Sequence, residues 1–149
     1  MHAPRRVDRL ILLDPSSCFG GMSIGYRLRA VPVMARPSGE RLVDFLRWET
    51  GGAPLDPDWL DLVRRGAGDF PQSRIVLPRR PDPTRPPAAP TLLVLGERSR
   101  IHDIHRVAEA AARQVPGLTT VVLPGATHHT IPIHDPAPLN RAMVDFLNR

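Results

Sequence analysis

Two adjacent histidines, His128 and His129, follow the short apolar run 119–123 and a Pro-Gly turn. A histidine on a loop directly after a buried strand can take a proton from a nucleophile, provided that an acid orients its imidazole. From the residues alone, His128 is either a general base, with His129 as the neighbouring alternative, or a solvent-exposed loop histidine.

A Gly-x-Ser-x-Gly sequence occurs at 21–25, centred on Ser23. In serine hydrolases this motif forms a strained turn that follows a strand directly. Here residues 15–20 separate it from the nearest apolar run, 10–13, so that strain would be absent. We therefore expect Ser23 to lie in a loop, and a small autonomous hydrolase that uses Ser23 is a minor alternative.

Several histidines and aspartates lie close together in the C-terminal third and raise the question of a metal site. Zinc requires convergent ligands and hydrogen bonds that support them, and these spacings establish neither. We therefore predict no metal and no cofactor. The residues concerned are His102, Asp103, His105, His128, His129, His134 and Asp135.

The amino-acid composition argues against nucleic-acid binding, membrane insertion and secretion. The formal charge is +5, but all 20 basic residues are arginines, scattered and without interleaved aromatic residues, so we expect no nucleic-acid partner. No apolar run approaches the roughly 20 residues that span a bilayer, and the N-terminus lacks a signal peptide's apolar region. Cys18 stands alone, so no internal disulfide is possible, and we expect a cytoplasmic protein.

Three nearly continuous apolar runs, 10–13, 91–95 and 119–123, predict parallel strands that are buried on both faces. Helices are predicted at 104–114 and 136–148, which makes the C-terminal third a β-α-β unit. Further helices are predicted at 38–50, at 56–65 and around 25–30. We therefore divide the chain into a core strand (1–15), a helical cap (16–78), a proline-rich linker (79–89) and a C-terminal α/β core (90–149).

The order of these motifs resembles the α/β-hydrolase family, and in particular its esterase-like members with a helical cap. The matching features are a strand ending Leu-Leu-Asp-Pro at 12–15, a helical insertion, a strand ending Leu-Gly-Glu at 95–97, and Pro-Gly-Ala-Thr-His at 124–128. The resemblance covers nearly the whole chain, and it implies a partial α/β-hydrolase fold with about three parallel strands and flanking helices.

The resemblance implies that His128 is the catalytic base. Family members often have Gly-Glu-x-Asp after the penultimate strand, whereas this chain has Ser99 at the position of the aspartate. Asp103, four residues further on, is then the first choice for the acid, although it could equally cap the helix that begins at residue 104. Asp14 is the second choice and Glu97 the third.

The family's nucleophile elbow and oxyanion-hole loop lie upstream of a strand like 10–13. The resemblance therefore implies the C-terminal portion of a serine hydrolase of the carboxylic-ester type, truncated and inactive alone, whose full-length relatives act on small ester-like molecules. Its open sheet edge would pair with an N-terminal half or with another copy. The alternative from another class is a non-catalytic interaction module.

Overall fold

The computed structural model describes residues 6–69, 82 and 86–149, which contain three strands and five helices. The strands are β1 (Leu10–Leu13), β2 (Thr91–Gly96) and β3 (Thr119–Leu123). The helices are α1 (Ile24–Ala35), α2 (Gly39–Glu49), α3 (Pro57–Asp69), α4 (Ile104–Gln114) and α5 (Pro136–Leu147).

The three strands form one parallel sheet in the order β1-β2-β3. Leu10 of β1 lies opposite Thr91 of β2, and Leu92 of β2 lies opposite Thr119 of β3. The prediction of a partial α/β fold with three parallel strands and flanking helices is therefore confirmed.

The central strand β2 is covered on both faces. Leu92 and Val94 pack in one cluster with Phe146 of α5. Leu93 and Leu95 point to the other face and pack with Val107 of α4. Because successive side chains of a strand point to opposite faces, a strand between two helix layers needs apolar residues at every position. This two-sided burial explains the continuous apolar run in the sequence.

β1 is less well covered than β2. All six residues of β2 are buried, whereas the residues of β1 are half-buried or exposed, and Leu13 is 41% exposed. Among the described residues, no strand pairs with the edge of β1 that faces away from β2. That edge therefore has backbone groups without a partner strand.

Helices α1 to α3 follow β1 and lie in the range predicted as the helical cap. Tyr26 of α1 and Phe45 of α2 form a separate apolar cluster with Ile101. The cap range is described up to residue 69, and the predicted linker 79–89 is described only at 82 and 86–89. Within the described ranges, no helix is long and apolar enough to cross a membrane.

The end of β2 lies very close to the loop that follows β3. A Cβ atom at Gly96 would come within 2.8 Å of the backbone oxygen of Ala126. We predict that Gly96→Ala lowers the free energy of unfolding, measured by urea denaturation, by about 1–3 kcal/mol, because backbone cannot yield as a flexible side chain can.

The matched control is Gly66→Ala in α3, where the added methyl group meets no described atom within 4 Å. This change should be neutral or should stabilise the protein by up to about 1 kcal/mol, since alanine favours a helix over glycine. Equal free energies of unfolding for Gly96→Ala and the unaltered chain would contradict the prediction.

Candidate active site

The carboxyl ends of the three parallel strands meet at one edge of the sheet. Asp14 follows β1, a loop from Glu97 to Asp103 follows β2, and His128 lies in the loop after β3. In open parallel sheets this is the edge at which catalytic and binding residues collect. The topology therefore brings residues far apart in sequence to a common place.

Asp14 and His128 are hydrogen-bonded to each other. The distance from Nδ1 of His128 to Oδ2 of Asp14 is 2.9 Å. The Asp14 side chain is 1% exposed and that of His128 is 23% exposed. An ionised carboxylate can only accept hydrogen bonds, so the imidazole donates through Nδ1 and its neutral form carries an unprotonated Nε2. Among the described residues that Nε2 has no hydrogen-bond partner, so it is free to act as a base.

Asp14 also accepts hydrogen bonds from the loop after β2. The Ser99 hydroxyl donates to Oδ2 at 2.7 Å, and Nε2 of His102 donates to Oδ1 at 3.0 Å. The backbone N–H of Gly96 approaches Oδ1 at 3.4 Å. Each carboxylate oxygen thus has two donors, which compensates the loss of water around a fully buried charge.

The backbone at Asp14 adopts an unusual conformation. Its φ is 40°, in the left-handed region that aspartate tolerates better than most residues. Its N–H still donates to the carbonyl of Val94 at 2.7 Å, so the turn begins directly where pairing with β2 ends. The side chain is thereby fixed at the sheet edge by both its backbone and its own hydrogen bonds.

These contacts shift the pKa values of the pair in opposite directions. Burial by itself raises the pKa of Asp14, but hydrogen bonds from His102, His128 and Ser99 outweigh it and hold that pKa well below its usual range. Burial lowers the pKa of His128, but the hydrogen bond and charge of Asp14 and the charge of Glu49 outweigh it and raise that pKa. Asp14 therefore stays ionised, and His128 is a stronger base than an isolated imidazole.

The structure does not bring the predicted acid, Asp103, to His128. The Asp103 carboxylate caps α4 and accepts the backbone N–H groups of His105 and Arg106, each at 3.1 Å. Its side chain is 53% exposed. The third choice, Glu97, accepts the backbone N–H of Gly125 at 2.7 Å and makes no hydrogen bond to His128 among the described residues. Asp14, the second choice, is the carboxylate that contacts the imidazole.

Ser99 explains part of this arrangement. It occupies the position at which the resemblance implied an aspartate, and its hydroxyl donates to Asp14. Two carboxylates at this distance would repel each other, whereas a hydroxyl can donate to an ionised partner. The serine therefore supports an acid that comes from β1.

Glu49 was not identified from the sequence, yet it contacts the histidine loop directly. It is fully buried at the end of α2. Its carboxylate accepts the backbone N–H of His128 at 3.1 Å, the Thr127 hydroxyl at 3.1 Å, and Nδ1 of His129 at 2.9 Å. A sequence signal exists, because Glu49 lies three and four residues after Leu46 and Phe45, on the apolar face of its helix.

Ser23 is engaged in capping α1. Its hydroxyl donates to the carbonyl of Arg100 at 2.8 Å and accepts the N–H of Tyr26 at 3.2 Å. Ser23 makes no hydrogen bond to His128 among the described residues. Ser23 is therefore the N-cap residue that directly precedes α1.

An aromatic cluster adjoins the two histidines. The ring of Phe45 meets the edge of His129 at 6.4 Å between centroids, and it also packs against Tyr26 and Trp48 at 5.2 and 5.8 Å. Burial, followed by the charges of Glu49 and Asp14, raises the pKa of Tyr26 to about 12. Helices α1 and α2 therefore place an aromatic cluster beside the ring of His129.

His102 is a second residue whose place the sequence did not reveal. Its position in the sequence raises only the question of a metal ligand, whereas in the structure its ring is buried and donates to Asp14. The described part of the chain holds no group of three or more histidine, cysteine, aspartate or glutamate side chains suited to a metal ion.

Solved structures similar to this one are known. A putative hydrolase from Bacillus subtilis superposes with a TM-score of 0.85 at 22% identity. Carboxylesterase CesB and naproxen esterase (carboxylesterase NP), both from Bacillus subtilis, give TM-scores of 0.82 and 0.80 at 20% and 23% identity. Each match covers 98% of this chain and 53% of the other, so the chain spans about half the length of these proteins.

A search of curated proteins gives no match. The sequence model of the alpha/beta hydrolase family matches residues 1–142, which is nearly the whole chain. The parallel sheet and the similar solved structures agree with that match. This chain belongs to the α/β-hydrolase family.

Proposed function

We propose that this chain supplies the general base and its acid to a serine hydrolase that cleaves small carboxylic esters. The observation that carries the proposal is the 2.9 Å hydrogen bond from Nδ1 of His128 to the buried carboxylate of Asp14, at the carboxyl edge of a parallel sheet. The ester class is supported by the names of two similar proteins, both of which are carboxylesterases.

In this proposal Nε2 of His128 removes the proton from a serine hydroxyl as the serine oxygen attacks the ester carbonyl. Asp14 stabilises the imidazolium that forms and holds the ring in the required tautomer. The imidazolium then gives its proton to the departing alkoxide. His128 next activates a water molecule that hydrolyses the acyl-enzyme, and the carboxylic acid leaves.

The acid in this proposal is Asp14 and not Asp103. An acid must contact Nδ1 of the base, and Asp14 does so while buried and ionised. Asp103 is committed to two backbone N–H groups at the start of α4. Capping accounts for Asp103 without any catalytic role.

We place the nucleophile outside these 149 residues. Ser23 holds the start of α1 through two hydrogen bonds, and a strained elbow requires a strand directly before the serine. The similar solved structures are about twice as long as this chain. The chain by itself is then expected to have little hydrolase activity.

The partner in this proposal is a segment that pairs with β1. Leu10 and Asp14 donate their N–H groups to β2, so the alternation of a strand directs the N–H groups of Ile11 and Leu13 toward the open edge. A strand from an N-terminal half, or from a second copy, would satisfy them and cover the apolar surface of β1.

We also propose a cytoplasmic location. Cys18 is a free thiol, and the sequence has no second cysteine with which it could form an internal disulfide. Chains of this kind are typical of reducing compartments.

If His128 is the base and Asp14 the acid, the variants should differ in ester-hydrolase activity in a defined order. We expect the chain alone to hydrolyse p-nitrophenyl acetate no faster than its His128→Asn variant. When it is produced together with the polypeptide encoded immediately upstream, we expect ester hydrolysis to appear. His128→Asn should then reduce kcat by about 10⁶-fold and Asp14→Asn by about 10⁴-fold, because the base or its tautomer is lost.

Asp103→Asn is the matched control, since asparagine caps a helix about as well as aspartate. It should retain near-normal kcat. Loss of activity in Asp103→Asn but not in Asp14→Asn would refute the acid assignment. Activity of the chain alone that disappears in Ser23→Ala would refute the placement of the nucleophile outside it.

The open edge of β1 predicts association in the isolated chain. We expect concentration-dependent self-association in sedimentation velocity, and we expect Leu13→Lys to reduce it several-fold, because a charged side chain on an edge strand opposes pairing. Leu62→Lys is the control, since Leu62 is an exposed leucine of α3, remote from the sheet edge in sequence. Equal association in both variants would argue against pairing through β1.

A further inference from the structure

Glu49 is a fully buried carboxylate, and within the described residues its side-chain hydrogen bonds all go to one loop. It lies at the last position of α2, and its three donors belong to Thr127, His128 and His129. The donor from His128 is its backbone N–H, at 3.1 Å from Oε1. Glu49 therefore joins the helices between β1 and β2 to the main chain of the candidate base.

Packing alone does not account for a carboxylate at this position. A buried ionised group costs several kcal/mol to desolvate, and a well-packed apolar residue is often as stable or more stable there. Among the described residues, no arginine forms an ion pair with Glu49, and its compensation comes from the histidine loop itself. The charge and the hydrogen bonds at this position thus act on that loop.

The two sides of His128 are held by different carboxylates. Asp14, from the end of β1, fixes the ring through Nδ1, while Glu49, from α2, fixes the backbone. The other titratable groups in this surrounding are His129 in the same loop, whose ring lies 5.0 Å from that of His128, and His102, which is bonded to Asp14. The charge of Glu49 favours the protonated imidazole of His128, in the same direction as the charge of Asp14.

We infer that Glu49 is a positioning residue for the base: through the His128 backbone N–H and the Thr127 hydroxyl it holds the loop so that the imidazole keeps its place against Asp14. This inference rests on the proposed function, because positioning has a purpose only if His128 is the base. It also gives α2 a role in the proposed reaction. A change at the end of α2 would be transmitted directly to residue 128.

The test is an NMR study of the full 149-residue chain that follows the imidazole of His128 during a pH titration and the exchange of its backbone N–H with deuterium. In Glu49→Gln we expect the titration of His128 to move to lower pH. We expect its backbone amide to exchange about 10- to 100-fold faster, because its hydrogen bond to a charged acceptor is lost.

Asp44→Asn is the matched control. Asp44 is an exposed residue of the same helix, so its substitution removes an equal charge without touching the loop. It should change neither readout. If Glu49→Gln and Asp44→Asn behave alike, with His128 titrating and exchanging as in the unaltered chain, then Glu49 is merely structural and the inference is wrong.

Two further measurements keep the test decisive if Glu49→Gln fails to fold. Glu49→Asp retains the charge but withdraws it by one methylene, so it should preserve the titration of His128 and still accelerate amide exchange. In the unaltered chain, the His128 amide should exchange more slowly than the His129 amide, which has no acceptor among the described residues. An unprotected His128 amide there overturns the inference. Since no readout is turnover, failure here is distinct from failure of the proposed ester hydrolysis.

Discussion

The buried charge of Asp14 is the constraint on which the rest of this sheet edge depends. An ionised carboxylate removed from water costs several kcal/mol unless donors replace the lost hydration. Its donors come from the end of β2, from the loop before α4 and from the loop after β3. They converge because the three strands are parallel, so that their carboxyl ends lie at the same edge of the sheet. The hydrogen bonds to Asp14 therefore both link the three strand ends and form the candidate site.

The same interaction determines the chemistry that His128 can perform. It fixes the tautomer, and together with Glu49 it raises the pKa of the imidazole while the pKa of Asp14 is held low. When the pKa values of two neighbouring groups are shifted apart in this way, the acid stays ionised while the imidazole can take up and release a proton. In the proposed reaction, Asp14 stays ionised and no proton passes between the two residues.

The elements were predictable because their signals are local. Continuous apolar runs gave β1 and β3 with their observed ends, and capping residues gave the start of α5. The partner of His128 was not predictable in that way, because Asp14 and His128 are 114 residues apart and their contact depends on a left-handed turn after β1. Glu49 lies 79 residues from His128. The one sign in the sequence of its role is that a carboxylate lies on the apolar face of α2.

Ser99 shows how a local departure from a pattern can carry long-range information. By itself, a serine in place of the expected aspartate leaves Asp103, four residues further along the loop, as the first choice for the acid. In the structure the serine is a neutral donor to a carboxylate from another strand. An ionised carboxylate at residue 99 would repel that of Asp14, whereas the Ser99 hydroxyl donates a hydrogen bond to it. The serine after β2 and the aspartate after β1 thus form one hydrogen-bonded unit. It can be recognised only when the two strand ends are known to be neighbours.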